Sequence, residues 1–312
     1  MNYEETLYKL LANDDRFIVL TAENRAAIRN LPGLIKERFI DTGITEQTLV
    51  GTAAGLALRG RIPIVHALST FLTMRAFEFI RTDIGIGQLP VKLIGAVPGF
   101  LSEANGPTHQ AIEDVSLMRG IPGVNIFCPA DEQDLKIGLE KVLKSPAPYY
   151  IRYTNFANVI EHNPDFQIGK AEVISEGLDI TILVYGTLLR EAIIAKDILA
   201  EQGISVGLLN MRTVKPIDVD AIVQAASQSS LIVTIEDHFL TGGLFSIVSE
   251  VLVKEQTCTR VLPIALKDKW FKPALLNDVL EYEGFTGRQL AEKIKIEFET
   301  DFSDKKFEKV FD

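Results

Sequence analysis

Cysteine is scarce in this sequence, with only Cys128 and Cys258 among 312 residues. Both lie in apolar stretches without the spacing of metal ligands, so we interpret them as packing residues rather than reactive thiols. No apolar run reaches the roughly 18 residues that a membrane-spanning helix needs. The first ten residues carry early acids and lack the basic-then-apolar order of a signal peptide. These absences favour a reduced, cytoplasmic protein that does not enter a membrane.

Positive charge is also in short supply. The 32 Lys and Arg residues are outnumbered by 42 Asp and Glu residues, which gives a net charge of −10. This balance argues against a nucleic acid or an anionic membrane bound by bulk electrostatics. The hydrophobic content of 47% is ample for sizeable cores. The length predicts about two domains.

Short apolar runs alternate with helical patterns along the chain. We predict strands in the first half at residues 17–20, 62–65, 91–94, 124–127 and 149–152. Near-continuous apolar strands are typical of a parallel sheet covered by helices on both faces. After a polar linker at 159–169, the alternation restarts, with strands predicted at residues 180–186, 206–209 and 231–236. The sequence therefore predicts an α/β fold of two tandem three-layer α/β/α domains with mainly parallel sheets, at 1–158 and 170–312.

Glu46 stands at the start of a predicted helix rich in small residues. Thr45 is the expected N-cap, which makes Glu46 a first-turn residue. Ala53, Ala54 and Gly55 leave little side chain between this helix and a neighbour, so we expect a close approach to another backbone. The carboxylate is either an ordinary helix-terminal acid, worth about 0.3–1 kcal/mol, or a functional group. The spacing alone leaves both interpretations open.

Asn105 and His109 lie in a loop, Asn-Gly-Pro-Thr-His-Gln, that follows a predicted strand. Open α/β sheets bind ligands at the carboxyl ends of their strands, and Gly106 and Pro107 restrict the loop. A histidine in such a loop is a candidate proton carrier or hydrogen-bond donor to an oxyanion. A helix-capping or surface histidine is the structural alternative.

Phe71, Met74 and Phe77 fall on roughly one face of a predicted helix. Taken alone, they form an ordinary core stripe. Arg152 ends the predicted strand at 149–152, again at a carboxyl edge. It is either a partner in a structural ion pair or a bidentate clamp for an anion.

Several segments recur together in one order. They are G-I-T-E-Q with Glu46, S-T-F-L with its spaced aromatics, G-P-T-H-Q with His109, P-G-V-N-I-F-C-P-A-D, and then Arg152 after a strand. Together they resemble the C-terminal half of transketolases, which comprises a pyrimidine-binding domain and a C-terminal domain. G-P-T-H-Q and P-A-D are specific for the transketolase-like branch, whereas G-I-T-E is shared more widely among thiamine-diphosphate enzymes. The resemblance covers nearly the whole chain.

The resemblance implies a role for each of these positions. Glu46 matches the catalytic acid that hydrogen-bonds N1′ of the cofactor's aminopyrimidine ring. Phe71, Met74 and Phe77 match the positions that wall this ring, although transketolases usually have an aromatic residue at the position of Met74. His109 matches a catalytic, substrate-facing histidine. The Arg152 position matches an arginine that binds the substrate's terminal phosphate.

Two positions depart from the transketolase pattern. Asn105 replaces an aspartate that contacts a hydroxyl group of the donor sugar, so the donor preference is open. Val97 stands where a second phosphate-binding histidine is expected. With Arg152 as the remaining phosphate ligand, we expect phosphate binding to be weaker, relocated or completed by another chain.

The resemblance also exposes a missing motif. Thiamine-diphosphate enzymes hold Mg²⁺ and the diphosphate with a G-D-G…N segment, which these 312 residues lack. The chain is therefore similar to the smaller subunit of a split transketolase, and its own residues are expected to bind no metal. An N-terminal, diphosphate-binding subunit would supply the Mg²⁺ site, with the cofactor between chains in an α₂β₂ assembly.

The predicted reaction is transfer of a two-carbon ketol unit from a ketose, such as a ketose phosphate, to an aldose. One alternative is a subunit similar to deoxyxylulose-phosphate synthase or to the β subunit of 2-oxo acid dehydrogenases, against which G-P-T-H-Q argues. The other alternative is a non-catalytic regulatory or scaffold subunit, which the joint presence of Glu46, Phe71 and His109 disfavours.

Overall fold

The computed structural model describes residues 1–300, apart from the side chains of Glu103 and Ala104. The charged segment 301–312, which the sequence predicts to be a loose tail, lies outside the described residues. Residues 1–300 form two β-sheets with helices packed around them.

The first sheet is built mainly from the first half of the chain. Its strands there are β1 (Phe17–Thr21), β2 (Phe39–Asp41), β3 (Ile62–Leu68), β4 (Lys92–Ala96), β5 (Asn125–Phe127) and β6 (Tyr149–Arg152). All five pairings among these strands are parallel, and the spatial order is β5-β6-β4-β3-β1-β2. Parallel pairing places the carboxyl ends of β3, β4 and β6 along one edge, where the loops with the predicted site residues begin.

Helices cover both faces of this sheet. They are α1 (Tyr3–Asn13), α2 (Leu31–Ile35), α3 (Glu46–Leu58), α4 (Phe77–Phe79), α5 (Asp114–Arg119) and α6 (Glu132–Lys144). In β1, Phe17 and Val19 join one core cluster, whereas Ile18 and Leu20 join another. Successive residues of a strand point to opposite faces, so both faces of the sheet are buried. This double burial explains the unbroken apolar run of β1.

The second sheet repeats this architecture. Its strands are β7 (Glu172–Ser175), β8 (Ile180–Val184), β9 (Val206–Asn210), β11 (Leu231–Phe239) and β12 (Arg260–Leu266). The short strand β10 (Thr213–Lys215) follows β9 in the chain but does not belong to this sheet. Its spatial order is β12-β11-β8-β9-β7, and only the edge strand β7 is antiparallel to its neighbour. Its helices are α7 (Leu189–Glu201), α8 (Val219–Gln228), α9 (Leu244–Lys254), α10 (Leu276–Glu283) and α11 (Gly287–Glu299).

The two halves are joined by a strand pairing and a shared apolar core as well as by the linker. Strand β10 leaves the second half and pairs antiparallel with β5 at the edge of the first sheet. One apolar core runs from α3 and β3 through to α8 and α9. The predicted strands of both halves are confirmed, and the structure shows the predicted tandem α/β fold. The sequence interpretation had not included β10.

No helix within residues 1–300 combines the length and apolar character needed to cross a lipid bilayer.

Candidate active site

Glu46 is the first residue of α3, and its carboxylate is almost completely buried. Thr45 occupies the N-cap position as predicted, but its hydroxyl donates to the carbonyl oxygen of Thr42 (2.9 Å) and does not cap the helix. The guanidinium of Arg75 donates from Nη1 to Glu46 Oε2 at 2.8 Å. Among the described residues, Arg75 is the one side chain bonded to this carboxylate. The second oxygen, Oε1, remains free for another donor.

The segment that carries Phe71, Met74 and Phe77 is not a regular α-helix. Residues Phe71–Arg75 and Ile80–Gly85 are π-helical, with the short α4 between them. Phe71 and Phe77 are half-buried, and Met74 is 37% exposed. The core-stripe interpretation holds for Phe77, which packs against the main core cluster, but not for Met74, which is exposed on a segment that is not a regular α-helix.

Arg75 links Glu46 to Phe71. Its guanidinium carbon lies 4.1 Å from the centre of the Phe71 ring, while its side chain is 41% exposed. A cation over an aromatic face at this distance is attracted by the negative charge of the ring face. Sequence reasoning missed Arg75. Its signal was a lone basic residue, four positions after Phe71, in an otherwise apolar segment.

His109 reaches the same place from the loop after β4. It ends the short 3₁₀ turn Pro107–His109, is half-buried, and its Nδ1 is hydrogen-bonded to the Thr108 hydroxyl at 2.9 Å. Its ring centre lies 5.0 Å from that of Phe71, in an edge-on arrangement. The structure therefore brings together Glu46, Phe71 and His109, which come from three separate segments.

Asn105 lies in the same loop, exposed, and its amide donates to the carbonyl oxygen of Ser102 at 3.1 Å. Val97, at the start of the loop, has a positive φ of 59°. For a β-branched residue this left-handed conformation is strained, and such strain occurs mostly at functional sites.

Arg152 is not available to a ligand in this chain. Its side chain is 3% exposed, and Nε and Nη1 donate to Asp114 Oδ2 (2.8 Å) and Asp237 Oδ1 (2.6 Å). Burial disfavours its charge, but the two carboxylates outweigh that and raise the pKa of Arg152 well above its usual value. The predicted anion clamp is corrected here: Nε, Nη1 and Nη2 of the guanidinium all donate to carboxylates. Arg152 instead forms the ion pair that the sequence left as its alternative, and it joins the two domains.

A second buried cluster joins the domains at the linker. The two ring nitrogens of His162 are hydrogen-bonded to Glu172 (2.8 Å) and Asp131 (2.9 Å). Arg212 lies between Asp134 (2.8 Å) and Glu172 (2.7 Å). Asp134, His162 and Glu172 are close enough to hold a metal ion. However, Arg212 and His162 already pair with these carboxylates, so we assign the cluster to the domain junction.

One cavity lies away from the predicted site. It has a volume of about 510 Å³ and lies between Phe156 and Val159, where the first half meets the linker, and helices α7 and α10. None of the predicted site residues lines it. Met74 and Arg75 are exposed and His109 is half-buried, so this part of the site is open to another surface, whereas the Glu46 carboxylate itself is buried.

Comparison with known proteins identifies the family. Residues 1–156 match the model "Transketolase, pyrimidine binding domain", and residues 169–290 match "Transketolase, C-terminal domain". The chain is 34% identical to the 6-deoxy-6-sulfo-D-fructose transketolase subunit SqwH of Clostridium sp. (strain MSTE9), over 92% of this chain and 90% of that subunit. The chain belongs to the transketolase family.

Two further relatives show how the chain compares with other family members. A solved structure described as "Split gene transketolase, inactive beta4 tetramer" matches 94% of this chain and 96% of its own, with 33% identity and a TM-score of 0.85. The 1-deoxy-D-xylulose-5-phosphate synthase of Dictyoglomus thermophilum is 37% identical over 83% of this chain but only 42% of its own length. The predicted resemblance to split transketolases is thus confirmed.

Membership of this family implies dependence on thiamine diphosphate. The residues present fit the pyrimidine end of that cofactor. A buried carboxylate with one free oxygen is linked through Arg75 to Phe71, and the half-buried Phe71 and exposed Met74 offer apolar surface that suits a planar ring.

Proposed function

We propose that this chain is the pyrimidine-binding subunit of a thiamine-diphosphate-dependent transketolase that transfers a two-carbon ketol unit from a ketose to an aldose. One observation carries the proposal: the buried Glu46 carboxylate, open on one oxygen, lies in one cluster with Phe71 and His109. When bound, thiamine diphosphate supplies the carbon nucleophile for the transfer. This chain's residues bind and orient its pyrimidine ring and handle protons.

Each residue of the cluster has a proposed task. Glu46 hydrogen-bonds N1′ of the aminopyrimidine and holds or shares a proton there. Phe71, Met74 and Phe77 would hold the same ring. His109 donates a hydrogen bond to the oxygen on the reacting carbon of the substrate, where preorganised donors stabilise developing charge. Asn105 contacts a hydroxyl group of the donor.

We infer that a second subunit completes the site. The sequence has no G-D-G…N segment, so the diphosphate and Mg²⁺ would be held by an N-terminal transketolase subunit. The related split-gene structure is described as an inactive β₄ tetramer, and we propose that this chain is likewise inactive without its partner. The proposed assembly is an α₂β₂ heterotetramer, located in the cytoplasm. Because Arg152 is ion-paired, a phosphate on the substrate would be bound chiefly by residues other than Arg152.

The test is co-expression with a subunit that carries the G-D-G…N motif, followed by a screen of phosphorylated and unphosphorylated ketose donors and aldose acceptors. We expect ketol transfer that requires both subunits and thiamine diphosphate. Release of CO₂ from a 2-oxo acid in place of ketol transfer would favour the deoxyxylulose-phosphate-synthase-like alternative. A complex that binds thiamine diphosphate but turns over neither class of substrate would favour a regulatory subunit.

Glu46→Gln tests the central assignment. Glutamine keeps the shape of the side chain but cannot hold the proton, so we expect near-complete loss of turnover with folding and assembly intact. Glu78→Gln, which changes an exposed glutamate in α4, is the matched control and should keep full activity. Substantial turnover by Glu46→Gln would refute the assigned role.

A further inference from the structure

We propose that the C-terminal domain positions His109 through a strap, residues 267–275, that is hydrogen-bonded to Gln110. The proposal rests on the proposed function, because it takes His109 to contact the substrate. The strap connects the end of β12 at Leu266 to the start of α10 at Leu276 and has no regular secondary structure.

The loop that carries His109 depends on support from outside its own sheet. Between β4 and α5 it contains two 3₁₀ turns and three residues with positive φ, Val97 (59°), Gly99 (60°) and Gly106 (79°). A single backbone pairing closes its base, where the Gly99 amide donates to the carbonyl oxygen of Ala111 at 2.9 Å. The loop's other backbone bonds close short turns within it, such as the bond from the His109 amide to the Gly106 carbonyl oxygen at 2.9 Å, and so do not tie its tip to the rest of the fold.

The strap contacts the loop at two positions, one before and one after His109 in the sequence. The side-chain amide of Gln110, itself 1% exposed, donates from Nε2 to the backbone oxygen of Phe271 at 2.8 Å. On the other side, a Cβ placed on Gly106 would lie 3.4 Å from Pro273 Cγ, so Pro273 packs against that glycine. The Phe271 ring packs edge-on against Phe100, with centres 5.2 Å apart. His109 is therefore held between two points of contact with the C-terminal domain.

Gln110 does more than fill space, because its side-chain amide provides a hydrogen-bond donor to the strap. The other side-chain atom of Gln110, Oε1, is buried without a hydrogen-bond partner. A methionine would fill a similar volume without burying an unpaired oxygen, but it would leave the Phe271 carbonyl without this donor. The distinctive property of the glutamine is the fixed donor to Phe271, which orients the backbone next to His109. Gln110 is thus a positioning residue.

The chain's four histidines allow the position of His109 to be observed directly. In the full chain labelled at histidine Cε1, Gln110→Met should shift or broaden the His109 NMR signal, assigned with His109→Gln. The signals of His66, His162 and His238 should stay in place. Gln224→Met is the matched control, because it removes a glutamine donor to Gln228 (3.4 Å) within α8, away from the loop. Pro273→Gly loosens the strap from the C-terminal side and should also perturb His109.

In the assembled enzyme, a small displacement of a catalytic group can lower turnover about 10- to 100-fold. We therefore expect Gln110→Met to lower kcat at least about tenfold, with the KM for the donor and the half-saturating thiamine diphosphate concentration little changed. An unmoved His109 signal, or a moved signal with an unchanged kcat, would overturn the positioning role. If the wild-type pair lacks ketol transfer, the proposed function fails, while the NMR comparison still decides whether the strap positions His109.

Discussion

The ion pair between Glu46 and Arg75 leads to opposite expectations for two variants. Arg75→Met should be the less stable but the more active, and Glu46→Gln the more stable but the less active. Arg75→Met removes the 2.8 Å contact to Glu46 and the cation over the Phe71 ring. It leaves a carboxylate that is 3% exposed with no other donor among the described side chains. Glu46→Gln removes the charge but keeps an oxygen that can still accept from Arg75.

These differences set the expected magnitudes. Removing one partner of a fully buried ion pair costs about 3–5 kcal/mol. Because the Arg75 side chain is 41% exposed, water screens the pair, and we expect about 2–3 kcal/mol for Arg75→Met. Glu46→Gln leaves no orphaned charge and should cost about 1 kcal/mol or less. The double variant should be more stable than Arg75→Met alone, because it no longer buries an unpaired carboxylate.

Urea unfolding of the isolated chain measures the stability order, and ketol transfer by the assembled enzyme measures the activity order. Glu46→Gln should lose nearly all turnover, whereas Arg75→Met should keep much of it, since the proposed bond to N1′ needs the carboxyl and not the guanidinium. Arg81→Met, at an exposed arginine of the same segment, is the control. The reasoning fails if Arg75→Met is as stable as wild type, or if the double variant is the least stable of the three.

Three further outcomes follow from the same structure. Burial disfavours the charge on His162, but its bonds to Asp131 and Glu172 outweigh this and raise its pKa to about 9. Its stabilisation is therefore complete below about pH 6.5 and is lost as the pH rises through 9. His162→Gln should cost about 2–3 kcal/mol at pH 6 and little at pH 10 in urea unfolding; an equal cost at both pH values contradicts this. Asp237→Asn, which removes one of two carboxylates around a buried guanidinium, should cost about 3–5 kcal/mol and lower Tm; an unchanged Tm speaks against it. Met74→Phe should lower the half-saturating thiamine diphosphate concentration several-fold; no change argues against contact with the ring.

The strands and the central cluster could be predicted because their signals are local. An unbroken apolar run such as β1 reports burial on both faces. The helix start at Glu46 follows from its flanking residues. The π-helical turns at Phe71–Arg75 could not be predicted, because one extra residue in a helical turn leaves no mark on hydrophobic spacing. Met74, which is exposed, and Arg75, which contacts Glu46, both lie in this π-helical turn.

The role of Arg152 lay beyond sequence reasoning for a different reason. Its partners, Asp114 and Asp237, are 38 and 85 residues away, and the second belongs to the other domain. A strand-ending arginine looks the same in sequence whether it faces a ligand or two carboxylates. The antiparallel pairing of β10 with β5 is hidden in the same way, since a three-residue strand carries almost no periodic signal.

The exposure of the site residues argues that catalysis requires assembly. Chemistry of the proposed kind needs a site from which water is excluded, because electrostatic interactions weaken in bulk solvent. In this chain, Glu46 is buried, but Met74 and Arg75 are more than one-third exposed and His109 is only half-buried. The C-terminal domain reaches the loop of His109 through Phe271 and Pro273, yet Met74 and Arg75 stay exposed and His109 half-buried in the described chain. We therefore expect a second chain to exclude the water, and the activity to appear only when that chain is present.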